Sequence, residues 1–358
     1  MLYAVIIAGG KGERFWPRSV RARPKQFQRI VTAQTMLQET FYRVYPEIPG
    51  ERIFIGAGEQ HRNIILEQLE EVDGGNLIVE PVGRNTAPAI GLASCVISSR
   101  DSEAVIAVLS ADHVVKPRGA FLSALSDAEK AAEQGYIVTF GIEPDRPATE
   151  FGYIEVAEPL KGDFGHEIFT VKRFREKPSL ELAEEYRMAG TFLWNSGMFI
   201  FRADVLLGAM EKYMPALYRG LMRIRTSLGT AEEQRVIEEE FSGFESISID
   251  YGVMERFDRI ACLKPRFFWD DVGSWGALER HLKGDERGII RSGNVVTVDS
   301  ESSIVLGDEE SIIALVGMQD TIVVKEGGRI LVCHKNADQK IKDVLRKIAE
   351  RGENLSYL

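Results

Sequence analysis

Apolar and polar positions alternate in blocks of distinct period through the first part of the chain. Short, almost continuously apolar runs at Tyr3–Ala8, Arg52–Ile55, Asn76–Val79, Ala104–Leu109 and Tyr136–Gly141 read as strands covered on both faces. Between them, Thr35–Tyr45, Gln60–Val72, Pro88–Ser99 and Phe121–Gln134 carry apolar residues at helical spacing, with Ile64, Ile65 and Leu69 on one face. Strands alternating with helices predict an α/β fold: a Rossmann-like, mostly parallel sheet with helices on both faces. Ligands of such sheets bind beyond the carboxyl ends of the strands. Gly9, Asp112 and Pro144 each follow a strand and are expected along one rim.

Past Phe151 the pattern loosens. Tyr153–Val156, Phe169–Arg175 and Met198–Phe201 read as strands, and Leu180–Met188 and Ala231–Phe241 as helices, in what is expected to be an insertion carrying a second pocket. From about Gly284 short β-branched runs recur at Val295–Val298, Ile304–Leu306, Ile312–Val316, Ile322–Val324 and Ile330–Val332. A helix over Gln339–Ala349 closes the pattern, with Ile341, Val344, Leu345 and Ile348 on one stripe. The expected division is a main domain over 1–283 and a small β-rich appendix with a terminal helix over 284–358.

Composition narrows the class. No apolar run reaches the roughly 20 residues that span a bilayer, so no membrane partner is expected. No basic residue precedes the short apolar stretch at the N-terminus, which reads as a first strand rather than a leader. Cys95, Cys262 and Cys333 are far apart, form no CxxC pair and suit the reducing cytoplasm. The net charge of −10 argues against nucleic acid as a partner. Anionic substrates would then need positive charge gathered locally. Lys11, Arg14, Arg18, Arg21, Arg23, Lys25 and Arg29 supply it, with Glu13 the only acid among them.

That basic stretch contains the segment richest in chemistry, Ala8-Gly9-Gly10-Lys11-Gly12-Glu13-Arg14-Phe15-Trp16-Pro17, followed by Pro24-Lys25-Gln26-Phe27. No Gly-Lys-Ser/Thr closes it, and Phe15 stands where a dinucleotide fingerprint needs its third glycine. Glycines that admit backbone N–H groups to an anion, with Arg14 and Lys25 to neutralise it, still make a phosphate cradle. Asp112 follows an apolar strand, where a carboxylate can hold magnesium over phosphates or merely start a turn. Asp271 offers a second ligand, with Asp270 beside it. Thr86 is a candidate N-cap for the helix that follows it. Trp194 and Trp275 are candidates for a pocket wall or for plain core packing.

Gly-Gly-x-Gly-x-Arg with a downstream Pro-Lys resembles the signature of the sugar-1-phosphate nucleotidyltransferases. Phe15-Trp16-Pro17 and Pro24–Phe27 are similar to the mannose-1-phosphate guanylyltransferase branch, as are Gly83–Pro88, Leu109–His113, Phe151–Ile154, Phe174–Pro178, Trp194–Met198, Ser248–Tyr251 and Trp269–Trp275. The resemblance implies transfer of GMP from GTP to mannose 1-phosphate by magnesium-assisted in-line displacement. It implies nucleotide contacts at Ala8, Gly9, Gly10, Gly12, Arg14, Lys25, Asn85, Thr86 and Ser110. It further implies sugar-phosphate contacts at Gly152, Glu176, Lys177, Asn195 and Asp250, and Mg2+ ligands at Asp112 and Asp271. Asp271 is preferred over Asp270 because the family's Asp-x-Gly spacing falls on Asp271-Val272-Gly273. Arg14, Lys25, Asp112 and Asp271 form the expected catalytic set. The family often carries a left-handed β-helix, so the appendix is expected to be an irregular version of one, with a homodimer as the expected assembly. Two alternatives stay open: the same chemistry with another nucleotide and sugar, and a non-catalytic regulatory homologue. A fused isomerase barrel is not expected, since few residues follow Gly284 and His334 is the only histidine among them.

Overall fold

The computed structural model describes residues 1–10 and 12–352; Lys11, one of the expected cradle cations, lies outside the described residues. The strands are β1 Leu2–Ile7, β2 Ile53–Gly58, β3 Leu77–Glu80, β4 Val105–Ser110, β5 Val114–Lys116, β6 Ile137–Ile142, β7 Tyr153–Pro159, β8 Ile168–Arg175, β9 Phe192–Arg202, β10 Ile260–Leu263 and β11 Phe268–Asp270. Helices α1 Met36–Val44, α2 Arg62–Gln68, α3 Thr86–Arg100, α4 Arg118–Glu133, α5 Leu180–Ala189, α6 Ala203–Tyr213, α7 Pro215–Ser227 and α8 Glu233–Gly243 punctuate them. By internal contacts the chain divides into two units. The first comprises Met1–Gly9, Thr40–Ala111 and Val115–Trp269, and the second Gly10–Glu39, Asp112–Val114 and Asp270–Leu358.

The first unit is built on a nine-stranded sheet of order β3-β2-β1-β4-β9-β6-β10-β8-β7. β1, β2, β3 and β4 are mutually parallel, β10 is parallel to β6, and β9 runs antiparallel to both β4 and β6. The carboxyl ends of β1, β4 and β6 therefore point the same way, and Gly9 and Pro144 leave the sheet at one edge. Asp112 belongs to the other unit. Unbroken burial of Ile53–Ala57 and Val105–Leu109 is what a sheet covered on both faces produces.

The looser stretch past Phe151 is not a separate insertion. β7, β8, β9 and β10 all join the same sheet, and antiparallel β9 sits at its centre. The pattern reading assigns no element to α6 and α7, which form in sequence. Their buried Leu206, Met210, Leu217, Leu221 and Ile224 share a core cluster with Ile90 and Cys95 of α3. Pro215 starts α7 at a first-turn position, where its missing N–H costs nothing.

In the second unit, β12 Ile290–Ser292, β13 Asn294–Val298, β14 Ile304–Leu306, β15 Ile312–Val316, β16 Thr321–Glu326 and β17 Arg329–His334 lead to helix α9 Ile341–Glu350. β12, β14 and β16 stack in parallel, as do β13 and β15, while β17 returns antiparallel on β16. Ile304 pairs with Ile322 and Asn294 with Ile312, both 18 residues apart (322 − 304 and 312 − 294), whereas Ile290 pairs with Ile304 after only 14 (304 − 290). Unequal coils of a parallel β-helix explain why no short repeat is visible in the sequence. The unit's core gathers Phe15, Trp16, Val272, Trp275 and Leu278 with Ile304, Ile322 and Ile341. Trp275 is fully buried, its ring 4.8 Å from that of Phe15 and its Nε1 donating to Trp16 O at 3.0 Å. Its role is core packing.

Candidate active site

Two clusters of the expected residues form, one in each unit. In the second unit, Gln26 Nε2 donates to Gly10 O at 2.9 Å. Gly12 adopts φ 59°, and a β-carbon there would meet Lys25 Cβ at 2.5 Å and Lys25 N at 2.8 Å. Both the backbone angle and the close approach of Lys25 demand glycine. Lys25, 3% exposed, donates to Asp112 Oδ2 at 3.1 Å, to Asp112 O at 2.9 Å and to Asp271 O at 2.6 Å. Its three donors thus tie together two segments far apart in sequence. Arg14, Lys25, Asp112 and Asp271 line one cavity of about 270 Å³, together with Gly12 and His113. Arg14 Nη1 and Asp271 Oδ2 both close over Gly273, where a β-carbon would lie 3.3 and 3.0 Å from them.

The neighbouring aspartates have different surroundings. Burial alone would raise the Asp270 carboxyl. Hydrogen bonds from Arg280, His281 and the Val272 N–H overcome that and hold it well below the usual carboxylate range. This clamp keeps Val272, a β-branched residue, at φ 45° with its side chain in the core. Asp271 is pushed up instead, first by burial and then by the negative charges of Asp270 and Asp112, against the lowering effect of Lys25 and Arg14. Two carboxylates facing one polar cavity, one of them desolvated, fit a small hard cation that completes its shell with phosphate and water oxygens. Among the described residues no group of three or more His, Cys, Asp or Glu side chains gathers as a metal site.

In the first unit, Ala8 is fixed by its N–H to Gly56 O at 2.7 Å, and Ser110 O accepts from Thr40 Oγ1 at 3.4 Å. The helix after the Gly83–Pro88 motif is capped by Asn85, not Thr86. Asn85 Oδ1 accepts from Thr86 N at 2.8 Å with Asn85 at φ 65°, while Thr86 Oγ1 accepts from Ile249 N at 2.9 Å. Asn85 wins the cap because the chain turns through a left-handed angle there, which Asn tolerates.

The five residues expected to contact the sugar phosphate come together. Lys177 Nζ donates to Glu176 Oε1 at 2.9 Å, and a β-carbon at Gly152 would strike Glu176 Oε2 at 2.4 Å. Asn195 receives Thr139 Oγ1 at 2.9 Å on its Oδ1 and donates from Nδ2 to Asp250 Oδ1 at 3.0 Å. Asp250 is pushed up by burial and by Glu176. Lys177 stands at φ 46°. Trp194 is buried against Phe151, ring centroids 5.0 Å apart, under the Arg146 guanidinium.

Glu80, absent from the sequence expectations, ends β3 with 8% exposure. Its Oε1 would lie 3.6 Å from a β-carbon on Gly9, and burial raises it to about 7. An acid ending an apolar strand just before Pro81 is the signal that would have pointed to it.

A polar cavity lined by Arg14, Lys25, Asp112 and Asp271, in a chain whose other unit is an α/β sheet, has the side-chain chemistry used by phosphoryl- and nucleotidyl-transferring proteins. Residues 3–287 match the nucleotidyl transferase family, and residues 293–348 match the mannose-phosphate isomerase/GMP-like β-helix domain. Mannose-1-phosphate guanylyltransferases of Salmonella montevideo and Escherichia coli K12 are each 38% identical, over 100% and 99% of this chain and 76% and 74% of their own. A crystal structure from Thermus thermophilus, described as a mannose-1-phosphate geranyltransferase, is 33% identical with a TM-score of 0.87, covering 97% of this chain and 99% of that one. The chain belongs to the nucleotidyl transferase family, in its mannose-1-phosphate guanylyltransferase branch.

The two aspartates should respond oppositely to neutralisation. Asp270→Asn breaks a buried charge cluster and should lower unfolding free energy by on the order of 3 kcal/mol. Asp271→Asn removes a carboxylate that burial disfavours and should leave the melting temperature unchanged or raised. Since the Asp270 carboxyl is depressed, its contribution is full above the ordinary carboxylate range and is lost only in strong acid. Denaturant titrations of both variants at neutral pH check this. Equal destabilisation would overturn the distinction.

Proposed function

We propose that the chain transfers GMP from GTP to mannose 1-phosphate, yielding GDP-mannose and pyrophosphate. The observation that carries this reading is similarity along essentially the whole chain to proteins named mannose-1-phosphate guanylyltransferase, with the motif residues gathered into two polar clusters. A phosphate oxygen of mannose 1-phosphate attacks the α-phosphorus of GTP. The bond from that phosphorus to the bridging oxygen breaks, and the electron pair leaves with pyrophosphate. The nucleophile is an anion at neutral pH, so positioning and charge neutralisation suffice.

In this reading Asp112 and Asp271 would hold Mg2+, which would supply neutralisation of the phosphate charge. Lys25 keeps the two aspartate segments in register, a positioning role supported by its three bonds to them. Arg14 faces the triphosphate, and Gly10 and Gly12 offer backbone to it. Ala8, Gly9, Asn85, Thr86 and Ser110 contact the nucleoside. Glu80 suits guanine: a buried carboxylate can accept from both N1–H and the 2-amino group, a donor pair that adenine and the pyrimidines lack. Lys177 binds the attacking phosphate, and Glu176, Asn195 and Asp250 bind sugar hydroxyls over Gly152. Residues 1–283 are assigned the catalysis and 284–358 the β-helix appendix, in a cytoplasmic enzyme.

Pyrophosphate release across a matrix of nucleotides and sugar 1-phosphates tests the substrates. GTP with mannose 1-phosphate should give the highest kcat/KM, and Glu80→Gln should narrow the gap between GTP and ATP by about tenfold, the worth of one charged hydrogen bond. A preference for UTP or dTTP would move the chain to a sister activity. For the metal, Asp112→Asn and Asp271→Asn should each cut magnesium-dependent turnover at least roughly a hundredfold, as removal of transition-state electrostatics does. Near-normal turnover in either variant removes that residue from the site.

A homodimer is part of the proposal. Val296 and Val298 of β13 lie beside Ala314 and Val316 of β15 in register, and Val296, Val298, Ile312 and Val316 are 48–65% exposed. Such an apolar sheet face favours a like partner. Val298→Glu/Val316→Glu should convert a dimer to a monomer in sedimentation velocity. An unchanged sedimentation coefficient would mean that this face is not the interface.

A further inference from the structure

The phosphate-side cavity of the second unit has one wall that the family motifs do not supply. Lys342, in the first turn of α9, lines the same cavity as Arg14, Lys25, Asp112 and Asp271. The helix is held in rotation by Ile341, 2% exposed in the core cluster of Phe15, Trp16 and Trp275, with Leu345 and Ile348 packed against that cluster one and two turns on. Side chains at i, i+4 and i+7 share a face, so anchoring these three fixes where Lys342 stands. Gln339, just before the helix, accepts from Arg14 Nη1 at 3.4 Å.

Charge counting shows what Lys342 adds. Among the described residues the cavity is lined by three cations, Arg14, Lys25 and Lys342, and three anions, Glu13, Asp112 and Asp271. Lys25 already donates to an Asp112 carboxylate oxygen and two main-chain carbonyls. Lys342 is exposed and makes no ion pair or hydrogen bond with another described residue. Among the described lining residues, Lys342 balances a side-chain charge that would otherwise be net negative before a cation binds. At about 270 Å³ the cavity is below the roughly 300–1,000 Å³ of pockets that enclose a drug-sized ligand, a size suited to a diphosphate group rather than a whole nucleotide. A solvated lysine on an amphipathic helix needs no cavity wall, and it is the shared wall that distinguishes Lys342 from Lys347 on the same helix.

We propose that Lys342 binds the β- and γ-phosphates of the nucleotide and the pyrophosphate they become, so that the appendix contributes a substrate-binding residue to the transfer site. The inference rests on the nucleotidyl transfer reading above. It gives the β-helix a chemical role: to carry α9 to the cavity.

The test uses the full chain and runs the reaction backwards, from GDP-mannose and magnesium pyrophosphate. Lys342→Gln should raise the KM for pyrophosphate about tenfold, the loss of one charge-assisted hydrogen bond. The KM for GDP-mannose and the melting temperature should stay unchanged, and Lys342→Arg should restore most of the pyrophosphate affinity. Calorimetric titration with magnesium pyrophosphate alone should show the same weakening without turnover. An unchanged pyrophosphate KM in Lys342→Gln overturns the proposal. So does a change that falls on both substrates along with the melting temperature, which is what a merely structural role would give. A wild type that makes no GDP-mannose, yet binds pyrophosphate through Lys342, would overturn the substrate reading and leave the phosphate site standing.

Discussion

The buried ammonium of Lys25 is the contact on which the second unit's polar cavity depends. It bonds the side chain and carbonyl of Asp112 and the carbonyl of Asp271, and so joins three segments that the chain itself keeps far apart. A buried lysine is costly unless its donors are satisfied. Here carboxylate and carbonyl oxygens satisfy them, and in return two like-charged segments converge on one cavity. Gly12 is part of the same constraint, because a side chain there would displace Lys25. The second aspartate of the pair is steadied from behind. Asp270, gripped by Arg280 and His281, bonds the Val272 N–H and holds the turn that presents Asp271.

Backbone strain marks both clusters. Of the non-glycine residues with positive φ among those described, Asn85 and Lys177 are themselves expected site residues, and Val272 directly follows one. Each such residue costs on the order of 1–3 kcal/mol and persists only where its surroundings over-determine it. Val272 has the Asp270 bond and the core; Asn85 has its own cap bond to Thr86. Asn195 is fixed differently, by Thr139 and Asp250 on opposite ends of its amide. Such ordering before substrate arrives is what catalysis by positioning requires.

Much of this was legible in the sequence. Alternating periods disclosed the α/β sheet, since a strand covered on both faces must be apolar throughout and a half-covered helix cannot be. The glycines and cations between Gly9 and Lys25 pointed to Gly12, Arg14 and Lys25, which line one cavity, and Asp271-Val272-Gly273 pointed to the aspartate that lines it with Asp112. Less legible were α6 and α7, and the strands past Phe151 that join the main sheet rather than a separate insertion. Sequence periodicity reports which faces are covered, not by what. Glu80 and Lys342 were invisible for a related reason. An acid at a strand end and a lysine on an amphipathic helix are ordinary until a neighbour is known.

By itself, then, the sequence determined the class of fold and the family, because those reside in local patterns of residue type and spacing. Only the tertiary structure decided that Lys25 faces aspartates rather than solvent, that Asn85 rather than Thr86 caps α3, that Trp275 is core, and that α9 sends Lys342 to the wall of the cavity lined by Arg14, Lys25, Asp112 and Asp271. These are matters of which distant segments meet. Chain entropy leaves that open until burial of the apolar stripes on strands and helices selects one arrangement.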